Sequence, residues 1–481
     1  MVPTAHRVRT GIALAAASGT IVAALLLHAR PAPPVTAVPS AVDAARDHGD
    51  DGVRLTARLP AAKMPRGPHE ELLAVTIAAP KAQAAGRPPV SVAIVLDRSA
   101  SMSDAADGGS TPWAHAKAAA ARLVDQLADG DAVSIIGYAD GGATYLPIAL
   151  VDDATKRRAR AVLAEMENES GGGATCISCG LATADGELSR SQVTSGVHRI
   201  LLISDGQANA TVSGRDGDVL DAKDEAIALA AKAASHGASV TAMGVGLGFD
   251  EGTMIRIADV GRGNYYFVDD ARDLPRMFEA ELGGLAATVA TNAKLLLSDG
   301  DGVTIEEALG YPMSRVGDHV IVPISDLRAG ETRKVVFRVA VAPARTGPMA
   351  LAKVELGWLR PGDGANRRAA TTATVDVVDD PAAITASIDP ATAASVDAAL
   401  GALTLEVAAR AYDRGGSPAA LQVIDAIETP AAIDAVPSFP TATAATIGRA
   451  RRTFAAAPEP RSDAGEKAKK AVREQAHDLA R

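Results

Sequence analysis

Between Val90 and Leu285 the chain alternates two patterns, and that alternation limits the folds open to it more than any other feature. Val90 to Leu96, Ala132 to Tyr138, His198 to Ser204 and Ser239 to Val245 are almost continuously apolar and short. Such runs are the mark of strands buried on both faces of a sheet. The stretches Thr111 to Leu127, Asp153 to Met166, Val219 to His236 and Asp273 to Leu285 carry the period of amphipathic helices instead. Shorter strands are expected over Ala143 to Leu150 and Asn264 to Val268. Strands alternating with helices predict an α/β domain with a doubly wound, mostly parallel sheet. Ligands of such sheets bind beyond the carboxyl ends of the strands.

The flanks read differently. Over 288–380 the helical period disappears, and Val303 to Ile305, His319 to Val322, Lys334 to Val339 and Thr374 to Val378 read as strands of a β-sandwich. Asp299-Gly300-Asp301-Gly302 reads as a solvated hairpin turn. Upstream, over 52–86, Val53 to Ala57 and Leu72 to Ile77 read as strands separated by the turn Pro65-Arg66-Gly67-Pro68. A hairpin of that size is not stable alone. It is expected to join the later sandwich, with the α/β domain (88–285) inserted between. Residues 381–481 form a helical region, with helices over Val396 to Tyr412 and Pro418 to Ile427 and a solvated, charged helix over Gly465 to Arg481.

Arg7 and Arg9 precede the uncharged apolar run Gly11 to Leu27, so 1–30 reads as a signal peptide or membrane anchor, the uncleaved anchor being preferred. Residues 31–51 follow as a linker. Either reading places the body outside the cytoplasm, with membrane contact through the N-terminal segment only if it stays attached. The net charge of −10 argues against a nucleic-acid partner.

The strand Val90 to Leu96 runs into Asp97-Arg98-Ser99-Ala100-Ser101. A carboxylate and two hydroxyls at alternate positions of a tight turn can converge on one hard cation, which prefers oxygen ligands. Thr175, after Gly171-Gly172-Gly173-Ala174, and Asp205, directly after the strand ending at Ser204, fall at the same rim of the predicted sheet. This constellation resembles the von Willebrand factor A domain with its metal-ion-dependent adhesion site, as found in secreted or membrane-anchored bacterial proteins. The resemblance implies a Rossmann-like fold and an open site for Mg2+, with Mn2+ or Ca2+ as alternatives. Ser99 and Ser101 would coordinate directly, Thr175 would do so in one of two states, and Asp97 and Asp205 would often act through water. The remaining position would take a carboxylate, Asp or Glu, of a protein partner.

Cys176 and Cys179, the only cysteines, are not a usual feature of that family. A local disulfide is the reading favoured by an oxidising compartment, with free thiols, a redox pair or a zinc site as alternatives. The function that follows is cation-dependent binding, for adhesion or scaffolding, rather than catalysis. An auxiliary membrane-associated subunit of a complex or channel is the alternative. A phosphotransfer enzyme using Asp97 is a minor one, since Ser99 stands where a second carboxylate would be needed and no Gly-x-x-x-x-Gly-Lys loop occurs.

Overall fold

The computed structural model describes residues 49–81, 87–103, 111–167, 174–212, 219–246, 248–428, 441–460 and 462–480. The apolar run Gly11 to Leu27 and the glycines Gly171 to Gly173 lie outside the described residues.

The chain opens with β1 (Arg54–Arg58), β2 (Lys63–Met64) and β3 (His69–Ala78). The α/β domain then runs β4 (Val90–Asp97), α1 (Pro112–Gln126), β5 (Ala132–Tyr138), β6 (Gly142–Leu150), α2 (Asp153–Glu165), α3 (Ile177–Leu188) and β7 (Val197–Ser204). It continues with α4 (Val219–Ser235), β8 (Ala238–Val245), α5 (Glu251–Val260), β9 (Arg262–Val268) and α6 (Leu274–Ala286). The six-stranded sheet has the order β6-β5-β4-β7-β8-β9. It is parallel except for the edge strand β6, which returns antiparallel to β5. Every residue of β4, β5 and β8 is buried, as the unbroken apolar runs require. Side chains of α1 and α6 cover one face around Leu96 and Ile135, and those of α3, α4 and α5 cover the other around Val95 and Ile136.

The strands on either side of this domain form one sandwich. A four-stranded sheet has the order β1-β3-β15-β11, where β11 is Val303–Ala308 and β15 is Thr332–Val341. The facing sheet runs β12 (Ser314–Val316), β13 (His319–Pro323), β10 (Thr288–Asp299), β16 (Gly347–Leu359), β17 (Asn366–Val377) and β2, with β14 (Leu327–Arg328) paired to β10. Strand β3 pairs with β15 along its whole length, from His69↔Val341 to Ala78↔Thr332. Leu55, Leu73, Val75 and Ile77 from upstream of the α/β domain thus share one core with Leu295, Phe337, Val354 and Leu356 from downstream. The α/β domain is an insertion in the sandwich, and one residue separates the end of α6 from β10. Two elements depart from expectation here. Strands β10 and β16, 12 and 13 residues long, are not among the strands expected from the sequence. The segment Asp299 to Gly302 is no hairpin: it carries the chain from β10 in one sheet to β11 in the other, and Asp299 is held by Arg315 at 2.9 Å.

Beyond the sandwich come α7 (Pro381–Thr385), α8 (Pro390–Glu428), α9 (Thr441–Ala456) and α10 (Asp463–Ala480). Helix α8 breaks at Gly416, whose φ of 64° suits a residue without a side chain. By length and composition the segment Pro390–Ala426 could cross a membrane. Here it is the centre of a helical unit, where Tyr412 stacks on Phe454 with ring centroids 4.6 Å apart.

Helix α10 is the clearest correction to the sequence reading, which made it solvated. It buries Ala468, Val472 and Ala476, and its charged side chains reach the α/β domain. Lys470 is 1% exposed, with Nζ 3.2 Å from the carbonyl of Gly246 and 3.7 Å from the centre of the Phe249 ring. Burial pushes its pKa down to about 8, against the pull of Glu251. Arg473 Nη1 donates to the buried Glu251 at 2.8 Å. A charge pattern alone does not distinguish a solvated face from one that meets buried carboxylates and aromatic rings elsewhere in the chain. Arg473→Ala leaves the Glu251 carboxylate buried without its partner, so a loss of about 2–3 kcal/mol is expected. Urea denaturation of the two proteins measures it; a loss under about 0.5 kcal/mol would mark the contact as incidental surface pairing.

Candidate metal site

The rim at the carboxyl ends of β4, β5 and β7 brings the candidate residues together. Strand β4 ends at Asp97, and the Arg98 amide still bonds to Tyr138 of β5 at 2.7 Å, continuing the ladder for one residue. The chain then tightens into a 3-10 turn over Ala100–Ser103, pinned by the buried Met102, whose amide bonds to the Ser99 carbonyl at 3.1 Å. This turn aims Ser99 and Ser101 the same way: their hydroxyl oxygens lie 3.1 Å apart. Ser101 Oγ donates to Asp205 Oδ1 at 2.7 Å, across from the end of β7. A Cβ placed on Gly206 would stand 3.4 Å from Thr175 Oγ1 and 3.8 Å from Ser101 Oγ, so the threonine shares the same cleft.

Burial is graded across the site. Asp97 is fully buried and Ser99 and Thr175 nearly so, while Ser101 is exposed. Asp97 Oδ1 accepts the Ser99 amide at 2.9 Å, and Oδ2 accepts Ser204 Oγ at 2.6 Å and Tyr138 OH at 3.2 Å. Burial raises the Asp97 pKa, and hydrogen bonds from Ser204, Ser99 and Tyr138 offset only part of that rise. The same carboxylate, after burial, pushes the Tyr138 hydroxyl well up. The Thr175 segment is fixed on both sides. Asn209 Oδ1 accepts the Thr175 amide at 2.6 Å, the Asn209 amide returns to the Thr175 carbonyl at 3.2 Å, and Asp140 accepts the Ala174 amide.

These residues fit a hard divalent cation. The donor set is entirely oxygen. Asp97 is held by hydroxyls and an amide with no side-chain cation among them, so a buried carboxylate stands where positive charge would relieve it. Among the described residues no group of three or more His, Cys, Asp or Glu side chains could form a metal cluster. Any cation here would rest on hydroxyls as much as on carboxylates.

Tyr138, Ser204, Asn209 and Asp140 were not singled out in the sequence. The signal for the first two is a polar side chain in the last position of an otherwise apolar strand, where it points at the rim. Asn209 and Asp140 lie in loops, and no pattern announces them.

Cys176 and Cys179 are joined, with Sγ atoms 1.98 Å apart, at the first turn of α3 directly after Thr175. Alkylation without reductant is expected to add no mass to the protein, and alkylation after reduction is expected to add two groups. Labelling of both thiols without reductant would mean that the pair stays reduced in solution.

An inserted α/β domain with hydroxyl and carboxylate oxygens gathered at the carboxyl rim of its sheet is the arrangement that the sequence resemblance implies. Residues 92–207 match the family described as the von Willebrand factor type A domain, and the chain carries such a domain. Domains of this family are generally non-catalytic interaction modules, and many bind a divalent metal. The chain is similar to the uncharacterized protein YfbK of Escherichia coli K12, at 25% identity over 225 residues. That match covers 46% of this chain and only 37% of the length of that curated relative. Among solved structures, a von Willebrand factor type A protein from Catenulispora acidiphila superimposes with a TM-score of 0.66 at 17% identity, covering 87% of this chain and 95% of that one. The ArnB paralog VWA2 from Sulfolobus acidocaldarius gives 0.56 at 16% identity, covering 88% and 99%. At these identities the likeness shows the fold. It extends well beyond the α/β domain in both cases.

Proposed function

We propose that this chain is a divalent-cation-dependent binding module of the bacterial envelope, which captures an acidic side chain of a protein partner. The observation that carries the reading is the meeting of Ser99, Ser101 and Asp205 oxygens at the rim, beside the buried Asp97. Ser99, Ser101 and Thr175 would hold Mg2+ directly, and Asp97 and Asp205 would do so through water. The ion would supply a positive charge that these ligands leave partly unneutralised. The chain's own part is to position the oxygens. Ser204 and Tyr138 fix the Asp97 carboxylate, Asn209 fixes the backbone of Thr175, and the exposed Ser101 leaves the outer side of the cleft open to a carboxylate.

Binding rather than turnover is the proposed output. The apolar run Gly11 to Leu27 supports placement outside the cytoplasm, anchored or secreted. The test is capture of partners from envelope extracts by wild type and Asp97→Ala, each with Mg2+ and with EDTA. Capture by wild type in Mg2+ alone is expected. Equal capture in all four conditions would place the binding surface elsewhere.

A further inference from the structure

At the opposite end of the sheet, the α/β domain and the sandwich line a half-open cavity of about 390 Å3. Arg199 and Arg262, from the amino ends of β7 and β9, line one side; Arg328 and Arg333, from β14 and β15, line the other. Arg199 lies near the start of β7 and Asp205 directly beyond its end, six residues later, so the cavity is roughly 20 Å from the metal rim. It is a separate site.

The carboxylates near it are already committed. Glu281 lies 3.5 Å from both Arg199 and Arg328. Asp326 accepts from Arg199 at 3.3 Å and from Ser239 at 3.0 Å, and Glu331 pairs with Arg333 and accepts the Arg328 amide. Positive charge is left over. Arg262 has a hydrogen bond to Asn292 but no ion pair among the described residues. The Nε atom of Arg333 is buried with no hydrogen-bond acceptor, and that of Arg199 has only Glu281 Oε1, at 3.5 Å. A buried guanidinium donor without an acceptor is rare, because it has lost its water without replacement. Both side chains line a cavity large enough for a small organic molecule. The backbone adds to the picture: Arg262 and Asn292, joined across the domain boundary, both adopt positive φ, 57° and 54°. For arginine that conformation is uncommon and marks a side chain whose position is imposed.

We infer that this interdomain cavity is a binding site for a small oxyanion of the polycarboxylate or phosphate class. Arginine forks suit either kind of oxygen pair, and the excess of guanidinium over carboxylate sets the sign of the ligand. A ligand seated there touches both domains and so favours their docked arrangement.

The test uses the full chain stripped of metal and then dialysed into buffer free of chelator, so that neither the metal site nor a competing polycarboxylate contributes, with citrate and inorganic phosphate as probes. Isothermal titration and thermal melting are compared with sodium chloride at matched ionic strength. Saturable binding of at least one probe, with a raised melting temperature, is expected. Arg262→Gln should weaken that binding by about tenfold or more, the equivalent of one charge-assisted contact. Arg262→Lys, which keeps the charge but loses the fork, should retain part of it. Binding of citrate alone or of phosphate alone assigns the class. If neither probe binds saturably, or if Arg262→Gln binds like wild type, the proposal is overturned and the arginines only cement the domain boundary. Circular dichroism of each variant separates lost binding from lost fold.

Discussion

Glu281→Gln is expected to destabilise the protein by about 3–5 kcal/mol, the cost of removing one member of a buried ion network. Glu281 is fully buried on α6, and its two oxygens serve five partners. Thr241 donates at 2.7 Å, Asn264 at 2.7 Å and Tyr266 at 2.9 Å, and the guanidinium groups of Arg199 and Arg328 lie 3.5 Å away. Burial pushes its pKa up, yet Arg199, Arg328 and the hydrogen bonds outweigh that and hold it below the ordinary glutamate range. A neutral amide there leaves Arg199 nearly buried beside a group that cannot balance it. A fall in melting temperature of roughly ten degrees follows for a domain of this size. The sign of the pH dependence is fixed by the lowered pKa. The charge stabilises the fold above the unfolded pKa, and that contribution disappears as pH falls through the folded value. The gap between wild type and Glu281→Gln should therefore be full near pH 7 and narrow below about pH 4. Arg328 belongs to the sandwich, so the same substitution also loosens one tie between domains. The double variant Arg199→Leu/Glu281→Leu should recover only part of the loss, because it removes one ion pair but takes a partner from Arg328, Asp326, Thr241, Asn264 and Tyr266. A single variant as stable as wild type would mean that water reaches the network.

The α/β domain was legible because its signal is local. A strand buried on both faces has to be apolar throughout, and Val90 to Leu96 and Ala132 to Tyr138 could be little else. Asp97, Ser99 and Ser101 were legible for a related reason, since polar residues directly beyond such a strand fall at its rim. The insertion could also be inferred, because Leu72 to Ile77 had no partner nearby in sequence and found it in β15. The sandwich was harder. Strand β16 is antiparallel on both sides and alternates imperfectly, with Gly357 among its residues and a register shift between Ala350 and Ala352. Helix α10 itself was legible over Gly465 to Arg481, but its docking was not, and neither was the arginine-lined cavity. Both depend on residues far apart in sequence: Arg473 meets Glu251, and Arg199 meets Asp326. Charge on a helix or at a strand end carries no mark of the distant carboxylate that will neutralise it.

Asp97→Asn should abolish the stabilisation that Mg2+ gives to the protein while leaving the fold in EDTA at least as stable as wild type. The two halves of this expectation have one cause. In wild type without a cation, Asp97 is a fully buried carboxylate relieved only by Ser99, Ser204 and Tyr138. Asparagine keeps the shape and an acceptor oxygen but removes the buried charge, which without a counter-ion opposes folding. With Mg2+ the balance reverses. A ligand that binds only the folded protein stabilises it by about 2.7 kcal/mol at a hundred times its dissociation constant. That gain requires the negative charge that asparagine lacks. Melting curves of the two proteins, in EDTA and across a Mg2+ series, give four comparisons. Wild type should rise with Mg2+, the variant should stay flat, and the two should converge or cross in EDTA. Ser101→Ala serves as the control, because Ser101 is exposed and its loss should reduce the Mg2+ response without stabilising the metal-free protein. A Mg2+ shift of equal size in wild type and Asp97→Asn would show that the ion binds somewhere other than this rim. A variant that melts well below wild type in EDTA would show that Asp97 serves the fold itself, through Ser204 and Tyr138, more than it serves a cation.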